Sequence, residues 1–202
     1  MISSSSSLGG GTKHMFTLGR NLNSEFNVFY GIPKNCNFEN YLDPNIHIEI
    51  SERKLNFIDI LKLIIFIKSK SIDVIHAHGK GAGLISRILK IFTWSPLIYT
   101  FHGIHLKCHS SLMRLIYILY EYLLGGLDSI KILVSESEKD YALKSNIYLG
   151  NKYKVIHNGV NNMHRKNYEE NKNLTNKNLE SKRIKVITVC RFVNQKNIKD
   201  TL

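Results

Sequence analysis

The chain lacks the pairings and runs that would place it in several large protein classes. Its cysteines, Cys36, Cys108 and Cys190, are odd in number, far apart and free of any C-x-x-C spacing. No disulfide framework or cysteine-based zinc site is therefore written in them, and reduced thiols in a cytosol are the plain expectation. The longest apolar runs, Ile58–Ile67 and Leu112–Leu124, fall short of the about 20 residues that cross a bilayer. The opening stretch MISSSSSLGGG has neither a basic nor an apolar segment, so it does not read as a secretory signal. Acidic residues are few, 16 against 28 Lys and Arg, and they are sparse around the glycine- and histidine-bearing turns, which argues against a hard-cation site.

What is present suffices for a packed core. Of 202 residues, 43% are hydrophobic, enough for one large domain or one domain with part of another. The net charge of +12 invites an anionic partner: nucleic acid, acidic lipid or a phosphorylated small molecule. The basic residues are scattered, however, with no zinc-finger, RNP-like or helix-turn-helix pattern. A solvated surface is the simpler reading, and no nucleic-acid partner is expected.

Short β-rich runs alternate with longer helical ones. Strands are expected at Phe26–Tyr30, Ile46–Ile50, Asp73–His76, Leu97–Phe101, Ile130–Val134 and Tyr153–His157. Helices are expected at about Gly11–Leu22, Phe57–Lys70, Gly81–Phe92, Ser110–Leu124 and Glu136–Ser145, the last opened by a Ser135/Glu138 capping box. Strands apolar on both faces and joined by helices require a parallel sheet, hence an α/β, doubly wound domain over residues 1–160. The apolar helices are expected to pack on that sheet, although the tyrosines of LMRLIYILYEYLL would also suit a membrane interface. Residues 161–183, rich in Asn, Lys and Glu, read as a polar linker. Residues 184–202 then resume with the strand IKVITVC and a loop. Only Met1 and Ile2 precede the serines, so the first strand is expected to be mostly missing. The chain is accordingly expected to be a fragment with a truncated second domain, poorly stable and catalytically inactive alone.

In such a sheet the ligand lies beyond the carboxyl ends of the strands. This lines up GGGTKH (Gly9–His14), HAHGKGAG (His76–Gly83), HGIH (His102–His105) and HNGV (His157–Val160) along one edge. The glycine turn Gly9, Gly10, Gly11 leads into a helix, whose free N–H groups favour a phosphate. It matches neither a Walker loop nor G-x-G-x-x-G, and a plain strand-to-helix turn is an equal reading. The histidines suit a metal by type. No further ligand follows His78, though, and His102, His105 and His109 leave a strand instead of sharing a helix face, so catalytic or hydrogen-bonding use is preferred and no metal is expected. Lys107, Cys108 and His109 read as loop surface. Arg191 and Lys196, five residues apart after the last strand, have the chemistry to grip a diphosphate.

Six segments, GGGTKHMFTLGRNL, DVIHAHGKGAGLISRI, IYTFHGIH, ILVSESEKDYAL, VIHNGV and VCRFVNQKNI, follow the order and spacing of family-4 glycosyltransferases of the GT-B type, which the chain resembles over nearly its whole length. The resemblance implies two Rossmann-like lobes facing a cleft, the first for the acceptor and the second for a nucleotide-sugar. It implies sugar transfer with retention of configuration, commonly without metal or other cofactor, onto a glycan or lipid-linked acceptor of lipopolysaccharide, capsule or exopolysaccharide synthesis. A cytoplasmic location follows, with peripheral contact to an anionic membrane face.

Carried over to this sequence, the resemblance makes Gly9–Gly11 the turn whose amides approach the donor diphosphate and His102 the residue against the donor sugar. Arg191 and Lys196 become the pair that neutralises the leaving diphosphate, and His78 an acceptor-side contact. Asn158 and Gly159 form a hinge-like turn, with His157 where proline is commoner. His105 and His109 are left as bystanders. The family's acidic E-x7-E motif would lie past Leu202. Two other readings stay open: a related epimerase or sugar-nucleotide hydrolase, and a non-catalytic acceptor- or partner-binding subunit of a split transferase.

Overall fold

A computed structural model of the chain describes residues 1–7, 9–34, 36, 44–104, 106, 110–150 and 152–159. Seven strands, β1 (Ile2–Ser3), β2 (Tyr30–Pro33), β3 (His47–Ile50), β4 (Ile75–His78), β5 (Leu97–Thr100), β6 (Ile130–Leu133) and β7 (Tyr153–Val155), form one sheet. Five helices join them: α1 (Gly10–Leu22), α2 (Phe57–Ser69), α3 (Lys80–Thr93), α4 (Ser111–Leu124) and α5 (Glu136–Lys144). The strand order is β3-β2-β1-β4-β5-β6-β7 and every pairing is parallel. This is the Rossmann-like arrangement of a GT-B N-terminal domain. It follows from the sequence pattern, because strands with apolar residues on both faces must be covered on both faces and crossover helices supply the cover. On β2, Tyr30 packs towards Gly19 of α1, while Gly31 faces Leu63 of α2, so these helices take opposite faces. Two buried clusters result. The larger runs through Ile60, Leu63, Ile85, Leu89, Leu97, Tyr99 and Leu133, and the smaller gathers Met15, Phe16, Tyr30 and Ile32.

The boundaries differ from the sequence expectation in instructive places. Phe26 opens no strand: its N–H and that of Glu25 donate back to Leu22 O, so the end of α1 continues as a turn and Phe26 is exposed. The strand starts at Tyr30. β4 is shifted two residues beyond the expected Asp73–His76, which puts both His76 and His78 in register with β5. The first strand is present as two residues in the third lane of the sheet, with Ile2 opposite Gly31 and Ala77, and Ser3 opposite His78.

Helix α4 packs on the core as expected through Tyr117 and Ile118, with Glu121 its buried residue, while Leu112, Leu115, Ile116, Leu119, Tyr122 and Leu123 are exposed. Helix α2 packs as expected through Ile60, Leu63 and Ile67. Contacts divide the chain after Gly159, and the linker 161–183 and the segment 184–202 lie outside the described residues.

Glu121 belongs to a buried ion cluster that the sequence did not announce. Arg87 of α3, with no exposed side-chain surface, donates through Nη2 to Glu121 Oε2 at 2.7 Å and to Asp128 Oδ2 at 2.6 Å, and through Nε to Asp128 Oδ1 at 3.0 Å. Lys131 Nζ lies 3.3 Å from Asp128 Oδ2 and donates to Gly125 O at 2.7 Å. The guanidinium also sits over the rings of Tyr99 and Tyr120. Burial alone would favour a neutral arginine, but the two carboxylates outweigh it and raise the Arg87 pKa. Two cations and two anions compensate one another, the condition under which charges are tolerated out of water.

Candidate functional site at the strand ends

The sheet order reverses direction between β1 and β4, since the chain builds outward to β3 on one side and to β7 on the other. In an open parallel sheet that is where a crevice forms at the carboxyl ends. Four histidines meet there. His76 and His78 come from β4, His102 follows β5, and His14 is on the second turn of α1. His78 Nδ1 and His102 Nε2 are 2.9 Å apart and share a hydrogen. The His14 ring stands edge-on to His102 with centroids 5.1 Å apart, and 6.0 Å from His78. His76 lies 4.1 Å from the His78 ring and is held through Nε2 to Thr100 Oγ1 at 2.9 Å. One ligating atom from each of His14, His78 and His102 falls within 4.8 Å of the others.

The backbone around these rings is tightly specified. His102 sits at φ 56°, in the left-handed region that L residues avoid, and Gly103 follows at φ 110°. The Gly103 N–H donates to Glu138 Oε1 at 2.5 Å, and Val134 N–H donates to Glu138 Oε2 at 2.8 Å. One half of the expected capping box is formed, with Glu138 N–H donating to Ser135 Oγ at 3.1 Å. The glutamate carboxylate, instead of reaching back to its own cap, ties the His102 turn to the end of β6. From the other side Gly11 presses on the ring: a Cβ there would lie 3.1 Å from His102 Cγ. Gly9 is the N-cap of α1 with no side-chain cap bond, and the first turn carries no acidic residue. The helix therefore offers its N–H groups and positive dipole end beside His102, as an anion site requires.

Burial fixes the charge of the cluster. It lowers His76 to about 3 and His102 to about 4, holds His78 well below the ordinary range, and lowers His14, with the neighbouring imidazoles adding repulsion for the three rings other than His14. At neutral pH all four are uncharged, able to donate through one nitrogen and accept through the other. His78 Nε2 is buried without a hydrogen-bond partner among the described residues.

Of the residues singled out from sequence, the structure brings Gly9, Gly10, Gly11, His78 and His102 to one corner. Asn158 and Gly159 follow β7 at the edge of the sheet, two strands from β5, and take no part in it. Arg191, Lys196, His105, Lys107, Cys108 and His109 lie outside the described residues. Sequence reasoning quoted His14 within GGGTKH without singling it out. Its signal was positional, because a residue one turn into a helix that starts at the site faces back over it. Glu138 was read as a cap and is also a clamp.

The Glycosyltransferase Family 4 profile matches residues 8–162. The chain belongs to that family. It matches none of the curated proteins. Solved structures share the fold: HepE of Anabaena with UDP-glucose, at 17% identity over 87% of this chain and 49% of that one with a TM-score of 0.63, and a glycosyltransferase of Rickettsia africae, at 19% identity over 87% and 48% with a TM-score of 0.60. MurG of Acinetobacter baumannii aligns at 12% identity over 80% and 46%, TM-score 0.52. The chain thus spans about half the length of these proteins. No helix among its described residues is long and apolar enough to cross a membrane.

Proposed function

We propose that this family-4 chain serves the transfer of a sugar from a nucleotide-sugar to a glycan or lipid-linked acceptor, with retention of configuration, in cell-surface polysaccharide synthesis. The observation that carries the reading is the meeting of an uncapped helix N-terminus and neutral, immobilised His102 at the reversal point of the sheet. Breaking a sugar–phosphate bond develops positive charge at the anomeric carbon and negative charge on the departing diphosphate. Amides of Gly9–Gly11 aimed at that diphosphate stabilise the transition state more than the ground state. A neutral His102 orients the sugar without adding repulsion to the forming cation. In this reading Arg191 and Lys196 neutralise the leaving group, His78 contacts the acceptor side through the pair it makes with His102, and Asn158 and Gly159 serve as a hinge-like turn. No organic cofactor takes part.

HepE was solved with UDP-glucose, so uridine diphosphate sugars are the first donors to try. The exposed apolar stripe of α4, with Arg114 among it, favours a lipid-borne acceptor at an anionic membrane face. The test is transfer of label from a panel of radioactive nucleotide-sugars to lipid-linked acceptors, using this chain joined to a complete nucleotide-sugar-binding lobe, since the 202 residues alone are expected to be inactive, with His102→Ala beside it. Label should reach the acceptor from one donor and fall by at least about 100-fold in the variant, the scale of a lost transition-state contact. Equal transfer by the two proteins removes His102 from the chemistry. Donor hydrolysis or epimerisation without transfer assigns the site to the other enzyme class.

A further inference from the structure

Among the described residues one group of side chains combines metal-ligating chemistry with metal-ligating spacing, and it is the histidine corner itself: His14, His78 and His102. The sequence argued against a metal because no further ligand follows His78 and because His102, His105 and His109 leave a strand instead of sharing a helix face. The fold supplies the third from α1. We infer that these three imidazoles bind one divalent transition-metal ion of the zinc class, leaving a fourth coordination position to water.

Geometry and chemistry both carry this. Two nitrogens on a tetrahedral zinc, with bonds of about 2.0–2.1 Å, stand roughly 3.3 Å apart. His78 Nδ1 and His102 Nε2 are already at 2.9 Å, and the ligating atoms of the whole set lie within 4.8 Å of one another. All three offer neutral imidazole, the form that ligates. The rings are held as metal ligands are held. His102 is fixed by its left-handed backbone, by the Gly103–Glu138 bond and by Gly11 against its face. His78 is braced by His76, which is itself anchored to Thr100. Such outer partners are what keep a ligand set preorganised. His78, only 5% exposed, also retains a second nitrogen, Nε2, that no described residue satisfies.

The ion would occupy the corner where His102 is proposed to meet the sugar, so metal and donor should exclude one another. That corollary rests on the transferase reading; binding of the ion does not. The experiment uses the untagged full chain stripped with chelator, titrated with Co2+ for its visible spectrum and with Zn2+ against a chromogenic competitor. One equivalent of Co2+ should give the intense d–d bands of a four- or five-coordinate nitrogen/oxygen site, and Zn2+ should displace it. His14→Asn, on an only half-buried helix position, and His102→Asn should each weaken Zn2+ by at least about 100-fold, beyond what loss of an outer partner costs. His157→Asn, exposed past β7, should leave affinity unchanged. Circular dichroism confirms that the variants keep their fold. A wild-type affinity no tighter than that of His14→Asn overturns the proposal, as does a sulfur-to-cobalt charge-transfer band, which would move the ion to a cysteine. Zinc binding without any transferase activity leaves the metal site standing and sinks only the reading of the previous section.

Discussion

Replacing Arg87 by leucine tests whether the ion cluster beneath β5 and β6 is held by charge balance. Arg87 is the partner of both Glu121 and Asp128, and neither its side chain nor theirs has measurable exposure. Removing it leaves two buried carboxylates with Lys131 as their one remaining cation in the cluster, and strips Tyr99 and Tyr120 of the guanidinium between them. Breaking a buried pair from one side costs about 3–5 kcal/mol, a large share of the about 5–15 kcal/mol that holds a domain folded. For a unit of this size that lowers Tm by roughly 8–16 °C. Urea unfolding followed by far-UV circular dichroism gives the free energy, and a thermal scan gives the shift.

The sharper result comes from the double variant Arg87→Leu/Glu121→Leu. It removes one charge of each sign, leaves Asp128 with Lys131, and fills the space with apolar atoms. If charge balance governs, the double variant is more stable than Arg87→Leu by at least about 1 kcal/mol, although it carries one more substitution. An Arg87→Leu protein within 1 kcal/mol of the parent, or a double variant less stable than the single one, refutes the reasoning.

Acid should unfold the domain early. The four histidines facing one another from α1, β4 and the β5 turn are held below the ordinary value of 6.5 in the fold, so the unfolded chain takes up protons first as pH falls. Their contribution is complete above about pH 6.5 and is lost as pH drops towards 4 and then 3, by roughly 3 kcal/mol per pH unit for any two rings that stay neutral. Urea midpoints at pH 7.5 and 5.5 measure the slope, and His76→Asn should flatten it by about one proton; a slope unaltered in that variant contradicts the assignment. Gly11→Ala drives a methyl to within 3.1 Å of His102 Cγ, so it should lower Zn2+ affinity and transfer together while costing about 1–3 kcal/mol of stability or less. Wild-type values on both counts would mean the ring moves aside freely. Glu138→Ala releases Gly103 and Val134 N–H groups together. It should reduce kcat about 10–100-fold with little change in KM for the donor, and a change confined to thermal stability would leave Glu138 a structural cap alone.

The strand–helix alternation was legible because buried parallel strands carry apolar residues on both faces, as Leu97–Thr100 and Ile130–Leu133 do. Register was less so. The strand at Phe26 failed because a β-prone dipeptide was captured by the preceding helix end, where local hydrogen bonds to Leu22 form at no loop-closure cost. Helix α4 was legible in part: it meets the core through Tyr117 and Ile118, but an apolar composition does not say which further side chains stay outside, and Leu112, Leu115, Leu119 and Leu123 do. His78 and His102 could be found from sequence because each ends a recognisable strand. The contact of His14 with His102, the bond from Gly103 to Glu138 and the bonds of Arg87 to Glu121 and Asp128 join residues 34 to 88 positions apart, and such pairings exist only once the sheet order is known.

These long-range ties explain why the corner can hold a ring in a conformation that isolated chain would not adopt. A left-handed non-glycine residue costs of order 1–3 kcal/mol and persists only where its surroundings over-determine it. For His102 the surroundings are three: the Glu138 carboxylate below, the His78 ring beside it and the bare backbone of Gly11 above. Each comes from a different crossover, so none can be lost without loosening the others' grip on the same imidazole. Whether that ring meets a sugar or a metal ion, its orientation is set before the ligand arrives, and the cost of ordering it is met by the fold instead of by binding.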